Sequence, residues 1–207
     1  MPSRFVVRNL RKNSYYHAYN IGVENRNIFL DRQDYKTFLY YLFIYISPLE
    51  TVKARYPDLP PRLALKNLST EIIMVAYCLM PNHFHLLLKQ KTIEAISKLM
   101  KQVSNGYTTY FNVKYKRVGS LLRGRYKSIL VESDYLLVQM TRFVHLNPLV
   151  AGLVAIPGEY PWSSYVNHIA NSGIINQFGS LTEWEKFHLD QNSYEQNLIK
   201  IRNLTID

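Results

Sequence analysis

The sequence predicts an α+β fold in which an antiparallel sheet carries helices packed on it. Three observations predict it: short aromatic and β-branched runs bounded by turn residues, longer stretches with apolar positions every three or four residues, and the order in which the two alternate. With 207 residues and 47% hydrophobic content, the chain suits one compact domain.

Tyr15 to Asn20 has the aromatic content of a strand, and Asp31 can cap an apolar helix that runs to Ile46. Pro48, Pro57, Pro60 and Pro61 make 47–67 a loop or a broken, mostly exposed connection. Ile72 to Leu79 and His83 to Lys89 read as two antiparallel strands joined by a tight turn of Met80, Pro81 and Asn82. From Thr92 to about Tyr115, the spacing of Ile93, Ile96, Leu99, Met100, Val103 and Tyr107 predicts a long amphipathic helix, weakened by Gly106. Tyr126 to Val131 is the next strand. Ser133 then caps a helix from Asp134 to about Asn147, with Pro148 and Gly152 marking its end. The order β α β β α β α is that of a split βαβ, ferredoxin-like sheet with helices on one face. Residues 1–166 form the expected domain, and 167–207 a tail with no clear period.

Lys and Arg number 25 against 15 Asp and Glu, a formal charge of +10 that favours a polyanionic partner. Between Ala95 and Val131 no acidic residue interrupts Lys98, Lys101, Lys114, Lys116, Arg117, Arg123, Arg125 and Lys127, and Arg4, Arg8, Arg11 and Lys12 precede them near the start. The cations are interleaved with Tyr107, Tyr110, Phe111, Tyr115 and Tyr126, as phosphate neutralisation with base stacking requires. A solvated basic face over core tyrosines gives the same pattern. The single cysteine, Cys78, excludes an internal disulfide, fits a reducing compartment and reads as packing. The start of the chain has no apolar signal core, and the longest apolar run, Phe38 to Ile46, is about half the roughly 20 residues a membrane span needs. A soluble, cytoplasmic protein with no membrane partner is expected.

His83 and His85 are two apart on a predicted strand, so both side chains leave one face, with Cα atoms about 6.6 Å apart. Neutral imidazoles can share a divalent ion and leave sites open for phosphate or water, or they can be partly buried, hydrogen-bonded residues.

The segment Met80-Pro81-Asn82-His83-Phe84-His85-Leu86-Leu87-Leu88 resembles the His-hydrophobic-His motif of single-tyrosine HUH transposases, the IS200-like family that includes enzymes associated with repetitive extragenic palindromes. Similar to the same family, and in its order, are Tyr15-Tyr16-His17, Asn25-Arg26-Asn27-Ile28-Phe29, Gly124-Arg125-Tyr126-Lys127-Ser128-Ile129, Tyr135-Leu136-Leu137, His145-Leu146-Asn147-Pro148-Leu149-Val150-Ala151-Gly152-Leu153-Val154 and Tyr160-Pro161-Trp162-Ser163-Ser164-Tyr165. The resemblance implies a ferredoxin-like nuclease domain in which His83 and His85 hold Mg²⁺ or Mn²⁺ against a phosphate of single-stranded or hairpin DNA. A helix-borne tyrosine then forms a 5′-phosphotyrosine while the 3′-hydroxyl leaves.

The sequence departs from that pattern at the nucleophile. Four residues before Asn147, where the family carries its tyrosine, stands Phe143, which keeps the ring and lacks the attacking oxygen. The resemblance makes Asn147 a third, side-chain oxygen ligand; it also reads as a helix-terminal residue before proline. Tyr135 is a weak substitute, about 12 Å along the same helix and on another side of it. Tyr126, before a strand, is the other. His145 falls on a different face from Phe143 and reads as structural or as a phosphate contact. Three functions remain open: a transposase-like protein, monomer or homodimer, that binds single-stranded or hairpin DNA; a non-catalytic nucleic-acid-binding regulator; and a hydrolase using a metal-bound water.

Overall fold

The computed structural model describes residues 10–170. Arg4, Arg8 and most of the proposed tail lie outside the described residues.

The chain forms β1 (Ser14–Ile21), α1 (Arg32–Ile46), α2 (Leu49–Arg55), α3 (Pro61–Ala64), β2 (Ile72–Met80), β3 (His83–Gln90), α4 (Ala95–Lys114), β4 (Lys127–Val131), α5 (Asp134–Val150) and α6 (Tyr165–Ala170). The strands make one antiparallel sheet in the order β2-β3-β1-β4, the split βαβ arrangement with β3 between β1 and β2. The expected strand and helix order is present. The proline-rich connection is broken into α2 and α3, and Asn67 closes it by donating to the Ile44 and Ser47 carbonyls at the end of α1.

Alternation along the strands sorts side chains between two cores. Tyr16 and Ala18 of β1 and Phe84, Leu86 and Leu88 of β3 face α1 and α4, where Phe38, Leu42, Leu99, Val103 and Tyr107 cover them. Leu87 of β3 and Val131 of β4 turn the other way, where Leu137, Met140 and Val144 of α5 bury them. A bulge between Met74 and Ala76 resets β2, so that Ala76, Cys78 and Met80 join this second core.

The expectation of helices on one face is therefore corrected. It fits α1 and α4, while α5 crosses the opposite face, because the sheet is apolar on both sides and each buried aliphatic side chain contributes about 1.5–3 kcal/mol. The expected stop at Pro148 is also corrected. Ser133 caps α5 by accepting from the Leu136 N–H as expected, but the helix continues through Pro148 to Val150. It closes where Gly152 adopts φ +67°, with Gly152 and Leu153 N–H donating to the Leu149 and Pro148 carbonyls.

Gly106 has a packing role on α4. A Cβ there would stand 2.9 Å from the Tyr41 ring, so its absence lets α1 and α4 approach. At the other end of these helices, Asp31 and Asp34 form a reciprocal capping box on α1. Fully buried Asp34 also accepts from Lys114 at 2.8 Å, Tyr115 at 2.8 Å and Tyr110 at 3.0 Å. Among the described residues, no helix is long and apolar enough to cross a membrane.

Candidate metal and DNA site

The hairpin between β2 and β3 is the base of the site. The Pro81 carbonyl accepts from the Ile28 and Phe29 N–H groups and the Asn82 carbonyl from Gly22 N–H, which fixes where β3 begins. His83 and His85 leave β3 on the α5 side, with ring centres 4.8 Å apart and planes at 88°. Two imidazoles sharing a cation at about 2.1 Å from nitrogen have ring centres roughly 4.5–5.5 Å apart, a spacing this pair matches.

Each histidine is anchored through Nδ1. His83 Nδ1 lies 2.6 Å from Asn82 Oδ1, and His85 Nδ1 lies 2.8 Å from Nε2 of His17 on β1. Among the described residues, neither Nε2 of the pair has a protein hydrogen bond. No group of three or more His, Cys, Asp or Glu there could hold a metal, so an ion at this pair would take its other donors from an amide oxygen, water or phosphate.

Burial lowers all three histidines. His17 is held at about 3, by burial first and then by His83; His83 is held at about 4 by burial; and His85 lies well below the ordinary value through burial, His17 and His83. All three are neutral at pH 7, with lone pairs available to a cation.

Phe143 stands over this cluster. Its ring meets His85 edge-on at 5.3 Å between centres and His17 at 5.8 Å, with no oxygen to offer. Asn147 follows one turn later and donates from Nδ2 to the Phe143 carbonyl at 2.8 Å. Tyr126 lies on the α4 side of the sheet, where its hydroxyl is 2.8 Å from Ser97 Oγ, and Tyr135 is exposed near the start of α5. His145 is buried, with Nε2 2.8 Å from Ser164 Oγ.

Two site residues escape sequence reasoning. Tyr19 pairs directly with His85 across β1 and β3, and its ring lies 5.1 Å from His17 and 6.1 Å from His85. His17 sits diagonally across from His85 and is fully buried. Alternation along β1 puts both on one face, but only the strand register brings them to the histidine pair.

The basic residues divide among separate surroundings. Lys127 stands over Tyr19, 6.0 Å from its ring centre, on the histidine face. Lys98, Lys101 and Arg125 line a cleft of about 780 Å³ with Asn20, Ser97, Ser104, Asn105 and Tyr126, on the α4 side of the sheet. Arg11, Lys12, Lys116 and Arg123 are exposed. Arg117 is half-buried, donating to Asn112 and lying over the Phe111 ring. Lys114, expected among the phosphate contacts, already lies between Asp31 and Asp34 at 2.7 and 2.8 Å. Burial opposes its charge, but these two carboxylates raise its pKa.

The site thus combines a ferredoxin-like sheet, paired histidines on an inner strand and a helix across them. Residues 62–144 match the profile of the family described as "Transposase IS200 like". Among solved structures, a REP-associated tyrosine transposase bound to a REP hairpin is similar with a TM-score of 0.58 and 12% identity, over 82% of this chain and 87% of that one, which supports the fold. A tRNA(His) guanylyltransferase from Saccharomyces cerevisiae is a looser likeness, with a TM-score of 0.41 and 8% identity over 92% of this chain and 76% of that one. No curated protein matches.

Proposed function

We propose that this chain is a transposase-like protein that binds single-stranded or hairpin DNA in DNA transposition, with His83 and His85 holding Mg²⁺ or Mn²⁺ against a phosphate. The hairpin is suggested by the partner of the similar tyrosine transposase. A bound ion would supply positive charge at a phosphate oxygen and polarise the phosphorus. His83 and His85 would donate their Nε2 lone pairs to it, and Asn147, one turn from Phe143, would offer its amide oxygen. Lys127 on the same sheet face, and Lys98, Lys101 and Arg125 in the cleft, neutralise neighbouring phosphates. The basis is one chain, whether monomer or homodimer; residues 1–166 act as the DNA-handling domain, in the cytoplasm, and 167–207 as a tail.

The observation that carries the reading of the chemistry is Phe143, whose ring meets His85 edge-on and has no oxygen to attack a phosphate held there. The protein therefore binds DNA without forming a phosphotyrosine. That observation equally favours a second reading, a non-catalytic regulator or capture protein derived from a transposase. Gel shifts with a DNA hairpin carrying single-stranded flanks, with Mn²⁺ and with EDTA, test the site. Wild type should bind more tightly with Mn²⁺, and His83→Ala combined with His85→Ala should lose that gain. Binding indifferent to the metal and to both histidines contradicts the proposal.

A further inference from the structure

We propose that His17 is a positioning residue: it accepts a hydrogen bond from His85 Nδ1–H and so keeps His85 Nε2 unprotonated and directed to the metal. This rests on the reading of His83 and His85 as a metal-binding pair.

The two rings lie end to end. Their nitrogens are 2.8 Å apart, their planes differ by 20°, and the 5.0 Å between centres equals the nitrogen separation plus about one ring diameter, as in a linear hydrogen bond. The ring of His17 is confined, with Tyr19 nearly parallel at 5.1 Å and the edge of Phe143 at 5.8 Å. Among the described residues its buried Nδ1, which carries the ring proton when Nε2 accepts, has no hydrogen-bond partner, so the directional bonding of this side chain goes to His85.

The proton is assigned by the parallel between the two members of the pair. Nδ1 of His83 faces Asn82 Oδ1, which can only accept, so His83 carries its proton there and has a bare Nε2. His85 repeats the arrangement from the other side, with His17 Nε2 as the acceptor in place of an amide oxygen. An outer acceptor on one nitrogen fixes the tautomer and ring orientation of a histidine whose other nitrogen binds metal. A carboxylate could serve too, but it would bring a buried negative charge close to an anionic DNA phosphate. Neutral imidazole accepts the same bond without that repulsion.

Imidazole ¹⁵N NMR of the metal-free protein and Mn²⁺ calorimetry of wild type, His17→Phe and His17→Gln test the role. In wild type, His85 should carry its proton on Nδ1. His17→Phe should mix the His85 tautomers and lower Mn²⁺ affinity by about 10–100-fold, while His17→Gln, whose amide oxygen also accepts, should recover part of both. Equal Mn²⁺ affinity in wild type and a folded His17→Phe overturns the proposal, as does a His85 proton on Nε2 in wild type. A wild type that binds no Mn²⁺ overturns the metal reading itself, and the tautomer in the metal-free protein then decides the role of His17. If His17→Phe does not fold, the wild-type tautomer and His17→Gln decide: loss of both signals in folded His17→Gln overturns the proposal.

Discussion

Phe143 meets His85 edge-on, 5.3 Å between ring centres, so an aromatic side chain is retained at the histidine pair with no nucleophilic atom. The sequence already marks this position by its distance from Asn147. The structure adds that the ring packs on His17 as well, which makes Phe143 part of the wall that keeps the histidines buried and neutral. A ring without a hydroxyl and the buried histidines thus share one packed cluster.

The cleft lined by Lys98, Lys101 and Arg125 should carry part of the salt dependence of DNA binding. Replacing all three by Ala should flatten the slope of log affinity against log salt by about 2, at roughly 0.7 for each single-strand phosphate contact. Fluorescence anisotropy between 50 and 300 mM salt, about the range in which such slopes are read, checks this. An unchanged slope in a folded variant makes the cleft a solvated surface.

Lys114→Met should act on stability rather than on that slope. It removes a cation from fully buried Asp34, whose ionised form is opposed by burial but held by Lys114, the Leu30 N–H, Tyr115 and Tyr110, so its pKa lies below the ordinary value. With those other donors intact and Lys114 partly solvated, the cost should be about 1–3 kcal/mol. Urea unfolding measures it, and a loss below about 0.5 kcal/mol would mean that the network is only a surface ion pair.

Acid should destabilise the metal-free protein through the buried histidines. In the unfolded chain each takes a proton near 6.5, whereas the fold holds His17 at about 3 and His83 at about 4. The unfolded state binds more protons between these values, so stability is full above about pH 6.5 and falls as pH drops toward 4. Unfolding in EDTA at a series of pH values should show this fall, and His17→Phe should make it shallower. Constant stability from pH 7 to 5 would contradict the burial of these rings as neutral species.

Much of the fold is legible in local signals. Asp31 and Ser133 cap the helices they were expected to cap, and the Pro81-Asn82 turn joins the two predicted strands. Pro148 misleads because its missing N–H removes only the one bond to the Val144 carbonyl and the helix runs two residues past it, while Gly152 supplies the actual stop. The face of α5 is hidden because alternation identifies two apolar sheet faces without saying which helix covers which. At the site, the motif reveals His83 and His85, but His17 and Tyr19 depend on the β1–β3 register, a long-range property. Lys114 looks like its basic neighbours in sequence, and only the packing of α4 on α1 gives it Asp34 as a partner.

On the proposed function, the site binds metal and DNA and lacks only the attacking oxygen. A denaturing gel with labelled hairpin DNA and Mn²⁺, run for wild type, Phe143→Tyr, and Phe143→Tyr with His85→Ala, tests it most directly. Residues 143 and 147 share a helix face, so a hydroxyl added at 143 lies by the histidine pair, although in-line attack tolerates little misplacement. Expected are no DNA-linked band for wild type, a weak band for Phe143→Tyr, and its loss when His85 is also removed. A DNA-linked band already formed by wild type would contradict it and assign the chemistry to another tyrosine, with Tyr19, Tyr126 and Tyr135 the first to replace.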